Sequence, residues 1–314
     1  MRYLKFISIV ILITNCKVCY CQDSINRFSS DNWLPPISCA TSILEAMKNP
    51  NEIIYLVINN EFRDYAKLNQ FPEEIRNLKN LKYLNLDFNY IKDIPSWIIE
   101  LSNLELISLG NNNLNTLPSD LSYLKQLKIL YLNNNYFKTF PDCLVHIATL
   151  EDLNLSYNYL MDLPSNISNL KNLNRFSIEA NLFAELPRQL LTLSNLEILN
   201  VGSNRIRIFS FCNANLVSLD LGGNEIENVD SDINRYRRLN ILLLDYNKLN
   251  MIPSEIYTIS NLETLVLDSN NLKILPIKIK KLRKLKQISV RDMGVNIKPS
   301  IYKYFHESDI SCRL

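Results

Sequence analysis

Side-chain catalysis needs a nucleophile, a base or a set of metal ligands held within reach of one another, and this chain offers few of them. Its two histidines, His146 and His306, stand at no spacing to Cys or Glu that would assemble a zinc site. Five glycines in 314 residues leave no glycine-rich loop to cradle a phosphate. Hydrolytic, zinc and nucleotide chemistry are therefore disfavoured, and no cofactor is expected. What recurs instead is aromatic and acidic: Phe88, Tyr131, Tyr157 and Tyr246, with Tyr90, Tyr136 and Tyr159 close behind, and Asp87, Asp152, Glu179, Asp220, Asp245 and Asp268 among them. Tyrosine joins contact area to a polar tip, so the pattern is one of binding rather than turnover.

The elements that position these residues come from a repeat. Leu81, Leu84, Leu86, Asn89, Ile91, Ile94, Pro95, Ile98 and Leu101 reappear 23 positions later as Leu104, Ile107, Leu109, Asn112, Leu114, Leu117, Pro118, Leu121 and Leu124. Nine complete copies follow, opening at Leu81, Leu104, Leu127, Leu150, Leu173, Leu196, Leu216, Leu239 and Leu262. The seventh begins only 20 residues after the sixth, and Ser210 and Asp230 stand where Pro is expected, which predicts a shorter, irregular back there. One atypical unit precedes the series, with Leu56-Val57-Ile58 as its strand and Phe71, Pro72, Ile75 and Leu78 behind. Another follows, in which Leu285, Ile288 and Val290 fit but Met293 replaces the Asn.

These residues resemble the leucine-rich repeat family, in its variant with LPxxIxxLxxL on the back of each turn, over about residues 53 to 302. The resemblance implies an α/β fold: a right-handed horseshoe solenoid with a parallel β-sheet on its concave face. Elementary physics agrees. In LxxLxL the side chains of a short strand alternate, so Leu84 and Leu86 point inward while Tyr83, Asn85 and Asp87 point out. The Asn that follows can donate to and accept from backbone groups otherwise buried without partners, which predicts a ladder from Asn89 to Asn270. Pro ends the extended segment and pre-sets a helical or 3₁₀ return.

Outside the repeats, Arg2 and Lys5 precede the apolar run Phe6 to Thr14, the pattern of a secretory signal over residues 1–21 with cleavage after Cys21. Residues 22–52 are expected to cap the first turn, through a short helix at Ser42 to Lys48 with Trp33 and Leu34. Residues 53–292 hold the repeats, and 293–314 cap the far end through Tyr302, Tyr304 and Phe305. No later run approaches the roughly 20 apolar residues of a membrane-spanning helix. After cleavage Cys39, Cys143, Cys212 and Cys312 remain, too far apart in the stack for Cys143 and Cys212 to pair. Many extracellular members of the family staple their ends with cysteine clusters, which this chain lacks. The alternative to a secreted protein is a cytoplasmic scaffold that regulates a small GTPase or a phosphatase.

Globally, 34 Lys and Arg residues against 32 Asp and Glu give no overall field for nucleic acid or membrane. Locally, Arg175 and Arg291 are the only bases read into the inner columns, so the concave face is expected to be acidic and to prefer a basic or hydroxyl-rich protein partner. The candidate contact set is Asp87, Phe88, Tyr90, Tyr131, Tyr136, Tyr157, Tyr159, Glu179, Asp245, Tyr246 and Asp268. The cations from Lys278 to Lys286 are expected to be a solvated face, with contact to an anionic surface as the alternative. Two glycosylation sequons begin at Asn154, on the inner face, and Asn166, on the back. Protein recovered from culture medium should begin at Gln22 by terminal sequencing, whereas an intact Met1 in the cytosol would favour the intracellular alternative.

Overall fold

The structure is a computed structural model of the chain and describes residues 39–61, 67–209, 213–229 and 235–313. The signal segment, Trp33, Leu34, Ser210, Cys212 and Asp230 lie outside the described residues. Each LxxLxL folds as a short strand. In chain order the strands, a few of them outside that pattern, are β1 (Cys39–Ala40), β2 (Tyr55–Val57), β3 (Tyr83–Asn85), β4 (Leu106–Ser108), β5 (Ile129–Tyr131), β6 (Asp152–Asn154), β7 (Arg175–Ser177) and β8 (Ile198–Asn200). Then come β9 (Ile208–Phe209), β10 (Ser218–Asp220), β11 (Asn228–Val229), β12 (Ile241–Leu243), β13 (Thr264–Val266), β14 (Gln287–Ser289) and β15 (Ser311–Arg313). All but β9 and β11 join one parallel sheet of 13 strands in chain order, and the register keeps each repeat position beside its own kind, as in Leu84 opposite Ile107 and Ile107 opposite Leu130. The sheet lines the concave side of a leucine-rich repeat horseshoe.

The back of each regular repeat is a five-residue 3₁₀ helix opened by Pro, such as Ser96–Glu100, Ser119–Tyr123 and Ser165–Asn169. Proline's fixed φ, between −66° and −70° at these three positions, suits that entry. The third residue of each turn, Ile98, Leu121 or Ile167, is completely buried against the strand leucines. No repeat closes its own core, so burial is shared between neighbours along the stack. Just before the two positions that lack Pro, β9 and β11 pair as a second, two-stranded parallel sheet; the back segments expected to be irregular, 210–212 and 230–234, lie outside the described residues. Phe209 stacks there on Tyr236 with ring centroids 6.1 Å apart, both rings 1% exposed. The β-branched and aromatic pair Ile208-Phe209 favours extension where no Pro sets a helical turn.

The asparagine ladder is closed by hydrogen bonds in every repeat. Asn158 Nδ2 donates to the carbonyls of Leu132 (3.0 Å), Leu155 (3.1 Å) and Ser156 (3.2 Å), while its Oδ1 accepts the N–H of Phe137 (3.0 Å). The ladder also runs one step further than the sequence suggests, because Asn60 donates to Asn89 Oδ1 at 2.8 Å and is 5% exposed.

At the N-terminal end Ser42 caps α1 (Ile43–Ala46) by accepting the N–H of Glu45. At the other end α2 (Pro299–Glu307) covers the core with Ile301 and Phe305. Tyr302, expected among the covering residues, is 44% exposed, since it sits one position off the buried face of the helix. The tail then adds β15 to the sheet beside β14. Cys143 is a free, buried thiol, and burial pushes it up to about 11; Cys312 is also a free thiol.

Replacing Asn158 with Leu leaves the buried Phe137 N–H without a partner and removes one of the donors to three carbonyls, and should destabilise the protein by about 1–3 kcal/mol. A thermal melt that does not move would contradict the ladder's role.

Candidate functional site: the concave face

The residue before each ladder asparagine is left-handed, with φ between 50° and 67° at Phe88, Asn111, Asn134, Tyr157, Ala180, Ser203, Gly223, Tyr246 and Ser269. The reason is a change of direction. The N–H before the asparagine points to the following repeat, as Tyr157 does to the Glu179 carbonyl (2.7 Å), and the N–H after it points to the preceding one, as Tyr159 does to Phe137 (2.8 Å). Asn and Gly tolerate that conformation, whereas a bulky side chain is disfavoured by about 1–2 kcal/mol. Phe88, Tyr157 and Tyr246 occupy it nonetheless, and the two tyrosines are each 53% exposed. Bulky residues held in a disfavoured backbone region point to function.

Tyr157 and Tyr246 are four repeats apart, and the left-handed positions between them are Ala180, Ser203 and Gly223. Four strand spacings are roughly 19 Å. Along the same stretch the position before the left-handed residue is Gly202 in one repeat and Gly222 in the next. At Gly222 an added Cβ would lie 2.7 Å from Asp245 Oδ1, so any larger residue would displace that carboxylate. The result is a slot with a tyrosine at each end, a floor of small residues and backbone, and carboxylates from Glu179, Asp220 and Asp245.

Those carboxylates differ in state. Glu179 accepts from Asn200 Nδ2 (3.0 Å) and from the Tyr157 hydroxyl (3.4 Å). Asp220 accepts the Gly222 N–H (2.9 Å), yet burial, reinforced by the charges of Asp245 and Glu179, pushes it up to about 7. Asp245 is raised as well, chiefly by burial and then by Asp268. No ion pair to Glu179, Asp220 or Asp245 occurs among the described residues.

The other residues read from the sequence fall into separate groups. Tyr131 donates to Asp152 Oδ2 (3.2 Å), which also pairs with Arg175 at 3.5 Å. Tyr136 and Tyr159 stack at 6.2 Å on the adjoining edge, 50% and 44% exposed. Tyr90 lies apart, with Lys67 Nζ 4.9 Å above its ring. Phe88 is half-buried. Two acids leave the candidate face altogether. Asp87 is 7% exposed and accepts the Ser108 hydroxyl and the Gly110 N–H, both at 2.7 Å; burial lifts it to about 6. Asp268 is 4% exposed and accepts the Arg291 N–H at 2.7 Å and its Nε at 2.9 Å. Both tie one repeat to the next. The inner face also carries a base that the sequence reading left out, Arg313 on β15. Asn154 lies half-buried on β6, its Oδ1 accepting the Ser156 N–H, whereas Asn166 is exposed on a back turn. The small residues of the slot were missed as well, although aligning the copies at the position before each Asn would have singled them out.

Among the described residues no group of His, Cys, Asp or Glu can hold a metal ion, and no helix is long and apolar enough to cross a membrane. A family description, leucine-rich repeat region, matches residues 63–162. No curated protein matches the chain. Solved structures share its fold. A TDR receptor is 22% identical with a TM-score of 0.65 over 84% of this chain and 48% of its own. An internalin (inlF) from Listeria monocytogenes is 21% identical with a TM-score of 0.63, over 92% and 85%. A plant peptide hormone receptor, RGFR1, in complex with RGF2 is 21% identical with a TM-score of 0.58, over 81% and 46%. The chain thus spans less than half of either receptor.

Asp220 holds its proton more tightly folded than unfolded, so its contribution to stability is present below about pH 4 and is lost as pH rises towards 7. Asp220→Asn keeps the acceptor for Gly222 and removes the charge. Urea melts should therefore show the variant more stable than the parent at pH 8, with the gap closing by pH 4; parallel curves would contradict the buried carboxyl.

Proposed function

We propose that this leucine-rich repeat solenoid is a non-enzymatic, exported recognition module that holds an extended basic segment of a protein partner between Tyr157 and Tyr246. The single observation behind this reading is the slot itself: two exposed tyrosines kept at disfavoured left-handed positions, with only small residues between them. Roughly 19 Å accommodates about six residues of extended chain. Glu179, Asp220 and Asp245 select for Lys and Arg along it, and the small residues Ala180, Ser203 and Gly223 leave room for a main chain to approach. A preformed rigid face limits the freedom lost on binding. The fold shared with a peptide hormone receptor captured in complex is in keeping with this use of the concave side.

Because Asp220 titrates near 7, a cation that settles beside it favours the charged carboxylate and expels a proton. Capture should therefore tighten as pH rises from 6 to 8. Export rests on the segment before Gln22, and a glycan belongs on Asn166 rather than Asn154, where it would block the face. The cytoplasmic reading, a scaffold for a GTPase or phosphatase, draws on the free thiols of Cys143 and Cys312, which fit a reducing compartment.

The test is selection from a randomised peptide library on the full chain. Enriched peptides should carry several Lys or Arg, and Tyr157→Ala and Tyr246→Ala should each weaken them about 30-fold. Tyr157→Asn, the residue used by two other repeats, should weaken capture equally while leaving stability equal or higher. Acidic or charge-indifferent winners, or tyrosine variants that bind as the parent does, would overturn the proposal.

A further inference from the structure

The repeats serve as their own controls, and the last two depart from the first five at solvent-facing positions, as the sixth does at one of them with Ile208, 63% exposed. Two residues before the back proline the first five copies carry Asp93, Thr116, Thr139, Asp162 and Glu185, all polar. In the final two copies that position is Met251 and Ile274, 71% and 62% exposed. Directly after the proline the chain has Ser96, Ser119, Asp142, Ser165, Arg188 and Ser254, then Ile277, 49% exposed. None of these three apolar side chains fills the core. Met251 and Ile274 occupy the same position in adjacent repeats, and Ile277 follows three residues on, past Pro276.

The last repeat gathers cations. Lys280 lies over the Tyr304 ring at 5.1 Å, Lys284 donates to Asn261 at 2.6 Å and Lys286 pairs with Glu263 at 2.7 Å. Lys278, Lys281 and Arg283 are exposed, and they make no ion pair among the described residues. A purely solvated face explains lysines but not exposed isoleucines beside them. A polyanion such as nucleic acid or a sulfated glycan would engage the charges and leave the apolar side chains in water. An anionic bilayer answers both, through headgroup phosphates for the cations and the upper acyl layer for the apolar tips.

We propose that the last two repeats carry a membrane-contact face, in which Met251, Ile274 and Ile277 enter the headgroup layer of an anionic phospholipid bilayer while Lys278, Lys281 and Arg283 neutralise its phosphates. This face shares no residue with the concave slot, so partner and membrane bind independently. Each cation near such a surface contributes about fivefold to partitioning.

The test is sedimentation of the full chain with phosphatidylcholine vesicles, with and without phosphatidylserine, alongside binding to immobilised heparin. The parent should bind only the phosphatidylserine vesicles and release at high salt. Lys278→Ser, Lys281→Ser and Arg283→Ser together should reduce partitioning roughly 100-fold. Ile274→Ser with Ile277→Ser should reduce it about tenfold at an unchanged melting temperature, while leaving any heparin binding as it was. If the parent ignores both vesicles, or prefers heparin to them, or if the isoleucine variant partitions as the parent does, the face is not a membrane contact.

Discussion

One side-chain amide per repeat supports everything else in this molecule. Each interior ladder asparagine accepts one N–H that would otherwise be left bare and gives a further donor to three carbonyls, as Asn158 does for Phe137 and for Leu132, Leu155 and Ser156, and a single unpaired group of that kind costs about 1–3 kcal/mol. The amide can do this only where the chain doubles back beside it, and that reversal sets the preceding residue left-handed. The residue forced into that conformation is also the one turned out along the rim of the sheet. What holds the stack together therefore also presents Tyr157 and Tyr246 to a partner. Where nothing is bound at that rim, Asn, Ala, Ser or Gly is the better choice for stability, and most repeats make it.

Charge on the concave side is governed by burial before sign. A parallel sheet lined on one face by carboxylates brings like charges within a strand spacing of each other, and the chain relieves this in two ways. Asp87 and Asp268 are turned into acceptors for the next repeat's backbone, so their charge is shared with N–H groups or with Arg291. Burial raises Asp220 and Asp245 towards neutrality, as it does Asp87. Asp220 and Asp245 stay half-buried and open to a cation from outside, whereas Asp87 and Asp268 are buried beneath the donors of the next repeat.

How much of this could be read from the sequence depended on whether a position carries one role or two. Leu84, Pro95 and Asn89 each do one thing in every copy, so a 23-residue shift exposes strand, turn and ladder together. Asn60 escaped because the first unit is longer, placing it 29 residues before Asn89. β15 escaped because Ser311–Arg313 pairs without the LxxLxL pattern, its edge supplied by β14 rather than by its own leucines. Outward acids looked alike in sequence, since a carboxylate that ties repeats together and one that faces a partner share a column. Only the neighbour decides between them: Ser108 and Gly110 donate to Asp87, whereas Gly222 leaves Asp245 room above it. The slot was hidden for a related reason, being defined by what its residues lack.

Hydrogen exchange of the full chain, followed by mass spectrometry with and without a saturating Lys-rich or Arg-rich peptide drawn from the library, tests the binding face most directly. Slowing confined to the segments around Tyr157, Glu179, Gly202, Asp220 to Gly223 and Asp245 to Tyr246, with the 3₁₀ turns of the back unchanged, is the predicted result. Slowing at residues 278–286, or spread evenly over all repeats with none concentrated in the slot, would contradict it.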